Sequence, residues 1–258
     1  MALIAMAVHD TDENGRSQFT EQTLKSLEAT VKGEHRLFVI DNGSCNATKE
    51  IIADYYNAGV IHNVITLPEN IGTANAINQA WKHRGAGQHL IKMDNDVVIH
   101  QPGWVDILEE AITRDPSIGI IGLKRKDLME DPNHETSHWA HSTLHMLPHE
   151  PGQKWIVVEQ VAHVMGTCQM FNCALIDRIG GLFQMEGLYG FDDSLAAIRC
   201  TVAGYKNMFL HGVEIDHIDP GGTAYQTWKE TYAGQRMAEY NRIKNGYYNG
   251  TISIEYPL

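Results

Sequence analysis

Two acidic groupings carry the chemistry that this chain can be expected to do. The first is Asp94-Asn95-Asp96, which follows the apolar run His89-Leu-Ile-Lys-Met93. In extended backbone, side chains at i and i+2 point to the same side, so Asp94 and Asp96 can converge on one hard cation at the end of a strand. The second is Asp192-Asp193, which opens a helical pattern running to about residue 203. Two neighbouring carboxylates can push one member's pKa toward a value useful for taking a proton from a hydroxyl. Each has a plainer explanation. Acidic residues after a strand are common solvated turn formers, and acidic residues at a helix start offset the helix dipole by about 0.3–1 kcal/mol.

The elements that must position these residues are read from the hydrophobic pattern. Strand-like runs at 3–8, 36–40, 64–67 and 89–93 alternate with helical patterns over about 18–32, 46–58, 72–84 and 103–114. Such alternation predicts a mainly parallel sheet with helices on its faces, with ligands beyond the carboxyl ends of the strands. Those ends read His9-Asp10-Thr11, Asp41-Asn42-Gly43-Ser44, Pro68-Glu69-Asn70 and Asp94-Asn95-Asp96. From Lys124 to Lys154 the chain is polar and rich in histidine (His134, His138, His141, His145, His149). Beyond it, 155–171 reads as strand material and 176–182 as a short helix with a glycine stop. Residues 207–218 read as a strand and 230–245 as an amphipathic terminal helix.

Composition narrows the class. With 258 residues and 43% hydrophobic content, the chain can bury the core of one large α/β domain or two merged halves. Its formal charge of −12 disfavours a surface devoted to nucleic-acid phosphates. Lys124-Arg125-Lys126 and Lys229, Arg236, Arg242 and Lys244 remain candidates for a local basic patch. Cys45, Cys168, Cys173 and Cys200 form no CxxC pair and are expected as free thiols in a reducing compartment. No run approaches the roughly 20 apolar residues of a membrane span, so a soluble, cytoplasmic protein is expected. His138, His141 and His145 share one face if a helix forms, but they lack the flanking cysteines or HExxH pattern of a zinc site. A functional or mobile loop is the better reading there. Tyr189, Trp139 and Trp155 are available to stack on a sugar or base.

Taken in order, the runs 38–48 (FVIDNGSCNAT), 69–81 (ENIGTANAINQAW) and 91–108 (IKMDNDVVIHQPGWVDIL) resemble the nucleotide-binding half of a family 2 glycosyltransferase. The run 164–182 (VMGTCQMFNCALIDRIGGL) resembles that family's acceptor-side strand and helix, and 189–205 (YGFDDSLAAIRCTVAGY) its acidic catalytic segment. The likeness covers roughly residues 3–220. It implies a GT-A fold: a Rossmann-like, mainly parallel sheet flanked by helices, with a smaller mixed sheet on the acceptor side. Residues 1–123 would form the nucleotide-sugar half and 124–222 the acceptor and catalytic half, including the loop 124–154. Residues 223–258 would be a helical tail on the same merged domain.

The resemblance also assigns roles. Asp41 would meet the edge of a uracil-type base, and His9, Thr11, Asn70, Gly72, Asn75, Asn78 and Asp94 would complete the nucleotide site. Asp96 would ligate Mn²⁺ or Mg²⁺, with Asp94 shared between metal and ribose and His217 as a third ligand. Asp193 would be the base, with Asp192 orienting a sugar; the family's usual Glu-Asp is Asp-Asp here, which shortens the first carboxylate's reach. The implied activity is metal-dependent, inverting transfer of a hexosyl or pentosyl group from a nucleotide sugar, first of all a UDP-sugar, to a hydroxyl acceptor such as a glycan. Two rivals stand beside it: a DNA-modifying transferase acting on hydroxymethylated bases, which the net charge disfavours, and a non-catalytic nucleotide-sugar or carbohydrate-binding module.

Overall fold

A computed structural model of the chain describes residues 1–127, 143–219 and 223–258. The expected alternation is present: β1 (Ala2–Val8), α1 (Ser17–Thr30), β2 (Arg36–Asn42), α2 (Asn46–Asn57), β3 (Asn63–Leu67), α3 (Thr73–Trp81) and β4 (His89–Met93). Then follow β5 (Val97–Ile99), α4 (Trp104–Arg114), β6 (Ile118–Arg125), β7 (Thr143–Met146), β8 (Val157–Val161), β9 (Cys168–Phe171), α5 (Cys173–Ile179), α6 (Asp192–Val202), β10 (Lys206–His217) and α7 (Thr223–Asn249). All ten strands join one sheet in the order β3-β2-β1-β4-β9-β6-β10-β8-β7, with β5 paired to β10. The mixed sheet expected on the acceptor side is therefore the continuation of the parallel one, joined at β4 and β9.

Strand β1 shows why the sheet is central. Ala2, Ile4, Met6 and Val8 join one apolar layer with Leu24, Leu27, Trp104 and Leu108. The alternate residues Leu3 and Ala5 join a second layer with Ile77, Trp81, Leu175 and Cys200. A strand covered on both faces must be apolar throughout, which is what ALIAMAV is. Each fully buried Leu or Ile side chain contributes about 1.5–3 kcal/mol to the fold.

Four expectations need correction. The apolar run 155–171 is two strands, β8 and β9, separated by residues 162–167, because the connecting loop itself buries Val164 and so carries no polar signature. The helix near 176–182 begins earlier, at Cys173, capped by Asn172, whose side chain accepts from the Ala174 N–H. The basic run Lys124-Arg125-Lys126 does not begin a polar loop. Lys124 and Arg125 belong to β6; Lys124 lies 2.7 Å from Glu159 and Arg125 pairs with Asp127. Finally, the terminal helix is longer than 230–245: α7 runs from Thr223 to Asn249, and Tyr240, Ile243 and Tyr247, near its carboxyl end, pack with Leu195 and Ile198. Residues 128–142, with His134, His138, Trp139 and His141, lie outside the described residues, whereas His145 is on β7. All four cysteines are free. Among the described residues, no helix is long and apolar enough to cross a membrane.

Candidate functional site

Asp94-Asn95-Asp96 leaves β4 in a tight passage held by its middle residue. Asn95 Nδ2 donates to Asp10 Oδ1 at 2.9 Å and to Thr20 Oγ1 at 2.7 Å. Asp10, fully buried, also accepts from the Thr20 and Thr48 hydroxyls. The carboxylate after β1 is thus an anchor for the acidic turn. The Asp94 N–H donates to the Thr167 carbonyl at 3.0 Å, extending the β4–β9 ladder, and the Ile218 N–H donates to the Asp96 carbonyl at 2.9 Å.

A register shift explains how a histidine from late in the chain arrives here. Strand β10 runs parallel to β6 through Leu210, shifts register between Leu210 and Glu214, and pairs antiparallel with β5, setting His217 opposite Val97. Such an irregularity re-aims the strand end, and His217 Nε2 lies 3.5 Å from Asp96 Oδ2. The same oxygen receives Arg16 Nη2 at 2.7 Å, while Arg16 Nη1 pairs with Asp219. Burial alone would raise the Asp96 carboxyl, but His217 and Arg16 outweigh it and hold the pKa at about 2. Its other oxygen, Oδ1, is buried without a hydrogen-bond partner.

The second acidic pair is set by backbone geometry. Phe191, the residue before α6, adopts a left-handed conformation at φ 64°, uncommon for a bulky side chain and often found where function requires strain. Its ring stacks on Tyr240 at 4.5 Å between centroids. Asp193 Oδ2 then accepts from Gly166 N–H at 3.1 Å and lies 3.2 Å from His163 Nε2, and Oδ1 accepts from Ser194 N–H at 2.7 Å. Against the opposing effect of burial, His163 and Lys92 hold the Asp193 carboxyl well below the usual range. The His163 imidazole is raised in turn, Asp193 outweighing its burial.

Lys92 joins the two pairs. Its ammonium lies 3.4 Å from Asp94 Oδ1, 3.4 Å from Asp192 Oδ2 and 2.9 Å from the Gly166 carbonyl. Burial of this lysine would lower its pKa, but Asp192, Asp94 and Asp193 raise it instead. Burial raises Asp94, reinforced by Asp96 and Asp192 against the pull of Lys92. A Cβ on Gly166 would stand 2.5 Å from the Lys92 nitrogen, so only glycine permits this approach.

The remaining candidates are spread more widely. Asp41, 2% exposed, accepts from the Ser44 N–H and lines a cavity of about 320 Å³ together with Lys49, Tyr56, Val64 and Thr66. His9 Nδ1 meets the Asn42 carbonyl at 3.0 Å, and the Thr11 N–H donates to Asn14 in a closed turn. Asn70 Oδ1 accepts from Asn42 Nδ2 and the Gly72 N–H, and Asn75 donates to the Ile71 carbonyl. Gly72, at φ 87°, turns the chain into α3, where Gln184 Oε1 accepts from the Ala74 N–H. Asn78, buried, donates to the Leu182 carbonyl and accepts from the Leu182 N–H, tying α3 to the loop after α5.

Arg16, Lys92, His163 and Asp219 are the site residues that the sequence reading passed over. Lys92 left one trace, a charge inside an apolar strand; the other three depend on partners distant in sequence. Among the described residues, His35, Asp106 and Glu109 bring three potential metal ligands together at the opposite end of the sheet. There the Ala2 N–H donates to His35 Nδ1, which leaves the proton on Nε2 to donate to Asp106 at 2.8 Å. A protonated Nε2 has no lone pair for a metal, so this cluster is a hydrogen-bonded tie.

The Asp94–Asp96 turn suits a divalent cation. It offers a buried carboxylate oxygen with no hydrogen bond and an imidazole beside it, a nitrogen and oxygen donor set appropriate to Mn²⁺ or a similar ion.

Residues 13–180 match the model of the family described as glycosyl transferase family 2. The uncharacterized protein y4gI of Sinorhizobium fredii is 23% identical over 223 residues; the match covers 80% of this chain and 24% of that protein, so the chain spans about a quarter of its curated relative. Among solved structures, the mannosyltransferase PcManGT of Pyrobaculum calidifontis, in complex with GDP-Man and Mn²⁺, superposes with a TM-score of 0.68 at 17% identity, covering 93% of this chain and 64% of that one. S. aureus TarS 1–349 with UDP-GlcNAc gives 0.62 at 15% identity over 88% of this chain and 61% of that one. GalNAc-T7 with UDP, GalNAc and Mn²⁺ gives 0.62 at 14% over 85% and 44%.

Proposed function

Since the chain belongs to glycosyl transferase family 2, we propose that it transfers a sugar from a nucleoside-diphosphate sugar to a hydroxyl acceptor such as a glycan, with inversion at the anomeric carbon. Residues 1–123 supply the donor side and 124–222 the acceptor side. The observation that carries the reading is the meeting of both acidic pairs at Lys92, which puts candidate cation ligands and a candidate base in one site.

In this reading the acceptor oxygen attacks the anomeric carbon as the bond to the diphosphate oxygen breaks. The bonding electrons leave on the diphosphate and the hydroxyl proton passes to the Asp193 carboxylate, which His163 adjoins. Lys92 holds Asp192 where it can orient the incoming sugar. Asp96 and His217, with Asp94 beside them, would hold Mn²⁺ or Mg²⁺, which when bound supplies charge stabilisation to the departing diphosphate. PcManGT and GalNAc-T7, whose structures contain Mn²⁺, support that choice of ion. Asp41 and its neighbouring cavity would take the base, with His9, Thr11, Asn70, Gly72 and Asn75 shaping the wall. A UDP-sugar is the first donor to try and a GDP-sugar the second, since relatives of this fold bind each. Transfer to DNA is disfavoured by the net charge of −12 and by the pairing of Lys124, Arg125 and Arg236 with carboxylates.

The test is nucleoside-diphosphate release from a panel of UDP- and GDP-sugars, with Mn²⁺ or with EDTA, for the native chain and Asp96→Ala. Release that requires Mn²⁺ and falls by about a hundredfold or more in Asp96→Ala is expected. Equal activity of the two proteins, or indifference to EDTA, would defeat the metal assignment. Donor binding without any transfer would favour the binding-module reading.

A further inference from the structure

Arg16 sets a permanent positive charge against Asp96 Oδ2, on the carboxylate proposed to hold the ion, and nothing in the transfer mechanism above uses it. Its guanidinium bridges Asp96 and Asp219 and lies beside His217 on the same Asp96 oxygen. The residue is well placed to move. It follows an exposed turn, residues 11–15, closed by Thr11 and Asn14, with the Asn14 side chain accepting from both the Thr11 and Arg16 N–H groups. That turn carries Thr11 and follows His9, both candidates for contact with the nucleotide, so donor contact and the placement of Arg16 depend on one segment.

A guanidinium hydrogen-bonded to Asp96 and a divalent ion on the same carboxylate would stand within a few ångströms of each other, with twice the repulsion of two unit charges in a partly buried setting. The two cations are alternatives. Resting on the family 2 reading of Asp96 as a metal ligand, we propose that Arg16 is the resident counter-ion of the donor site. It neutralises Asp96 and Asp219 in the empty protein and yields Asp96 to the divalent ion as the nucleoside diphosphate arrives. The planar fork of arginine matches phosphate oxygens as well as carboxylates, so the released side chain has a partner in the incoming diphosphate.

The experiment is Mn²⁺ titration of the full chain without nucleotide, followed by calorimetry or by the electron paramagnetic resonance of free Mn²⁺. It compares the native protein, Arg16→Gln, Arg16→Lys and Arg16→Gln/Asp96→Asn, each checked for native circular dichroism. Arg16→Gln is expected to bind Mn²⁺ about tenfold more tightly than the native chain, with Arg16→Lys between them because a single ammonium bridges two carboxylates poorly. The double variant is expected to show no gain. With UDP present, the advantage of Arg16→Gln should shrink or reverse as the native arginine finds the diphosphate. A purely structural arginine would weaken metal binding when removed. Equal or weaker Mn²⁺ affinity in Arg16→Gln, or a gain that survives Asp96→Asn, overturns the proposal while leaving the metal site standing. Absence of Mn²⁺ binding in both the native chain and Arg16→Gln removes the metal reading itself, and this inference with it.

Discussion

The two acidic pairs look alike in the sequence and are built in opposite ways. At Asp94 and Asp96 one residue intervenes, and Asn95 is locked to Asp10 and Thr20, so the flanking carboxylates are presented from a rigid turn. They then divide: Asp96 faces Arg16 and His217, and Asp94 faces Lys92. At Asp192 and Asp193 the carboxylates are adjacent at a helix start and divide again, Asp192 to Lys92 and Asp193 to His163. In each pair one member is held to a histidine and the other to the shared lysine. The difference lies in what is left open. Asp96 keeps a buried oxygen without a hydrogen bond, suited to an ion, whereas both Asp193 oxygens already accept backbone N–H groups and Oδ2 also faces His163.

That contrast can be broken most directly at Asp193. Asp193→Asn keeps the shape and the Ser194 contact but removes the proton acceptor. Transfer should fall by roughly 10²–10⁴-fold with donor affinity little changed, measured by product formation alongside nucleotide titration. A matched loss in donor binding would mean that the two pairs are not separate in role.

Acid stability sharpens the other half. Asp96 titrates at about 2 in the folded protein against about 3.9 in an unfolded chain. Its depressed value means that its contribution, about 2 kcal/mol, is present above pH 4 and lost as the pH falls from about 4 toward 2. Denaturant melts of the native chain and Asp96→Asn across that window should converge at the acid end. Parallel curves would show that Arg16 and His217 do not hold Asp96 as described.

The smallest change tests the bridge between the pairs. Gly166→Ala puts a methyl group against the Lys92 ammonium and should cost about 1–3 kcal/mol of stability, read from the denaturation midpoint. An unchanged midpoint would mean that Lys92 is not fixed between Asp94 and Asp192.

How much of this was readable before the fold was known depended on distance along the chain. Strands β1 to β3 announce themselves because each is short, apolar and followed by its own helix, and β4 because its apolar run ends at Asp94-Asn95-Asp96. Strand β6 was missed: Ile118-Gly-Ile-Ile-Gly122 contains two glycines and runs directly into the basic residues that looked like a loop. Asp94, Asp96 and Asp193 could be singled out because their spacing is local. Arg16 could not, since its carboxylate partners lie 80 and 203 residues away, and the farther one, Asp219, meets it through the redirected end of β10. The partner of Asn78 could not be read either: its amide closes on Leu182, 104 residues on.

The insertion of β9 between β4 and β6 also bears on how the chain reaches this state. Strand β1 pairs with β2 and β2 with β3 across single helical connections, whereas β4 returns to β1 and sets His89 opposite Ala2. The pairing of Leu90 with Phe171 likewise requires a long segment to close on itself before any contact compensates the lost entropy. Gly166, which carries the contact to Asp193, reaches Lys92 with the arrival of β9. A nascent chain therefore carries Lys92, His163 and Gly166, the partners of the acidic pair, before α6 itself emerges.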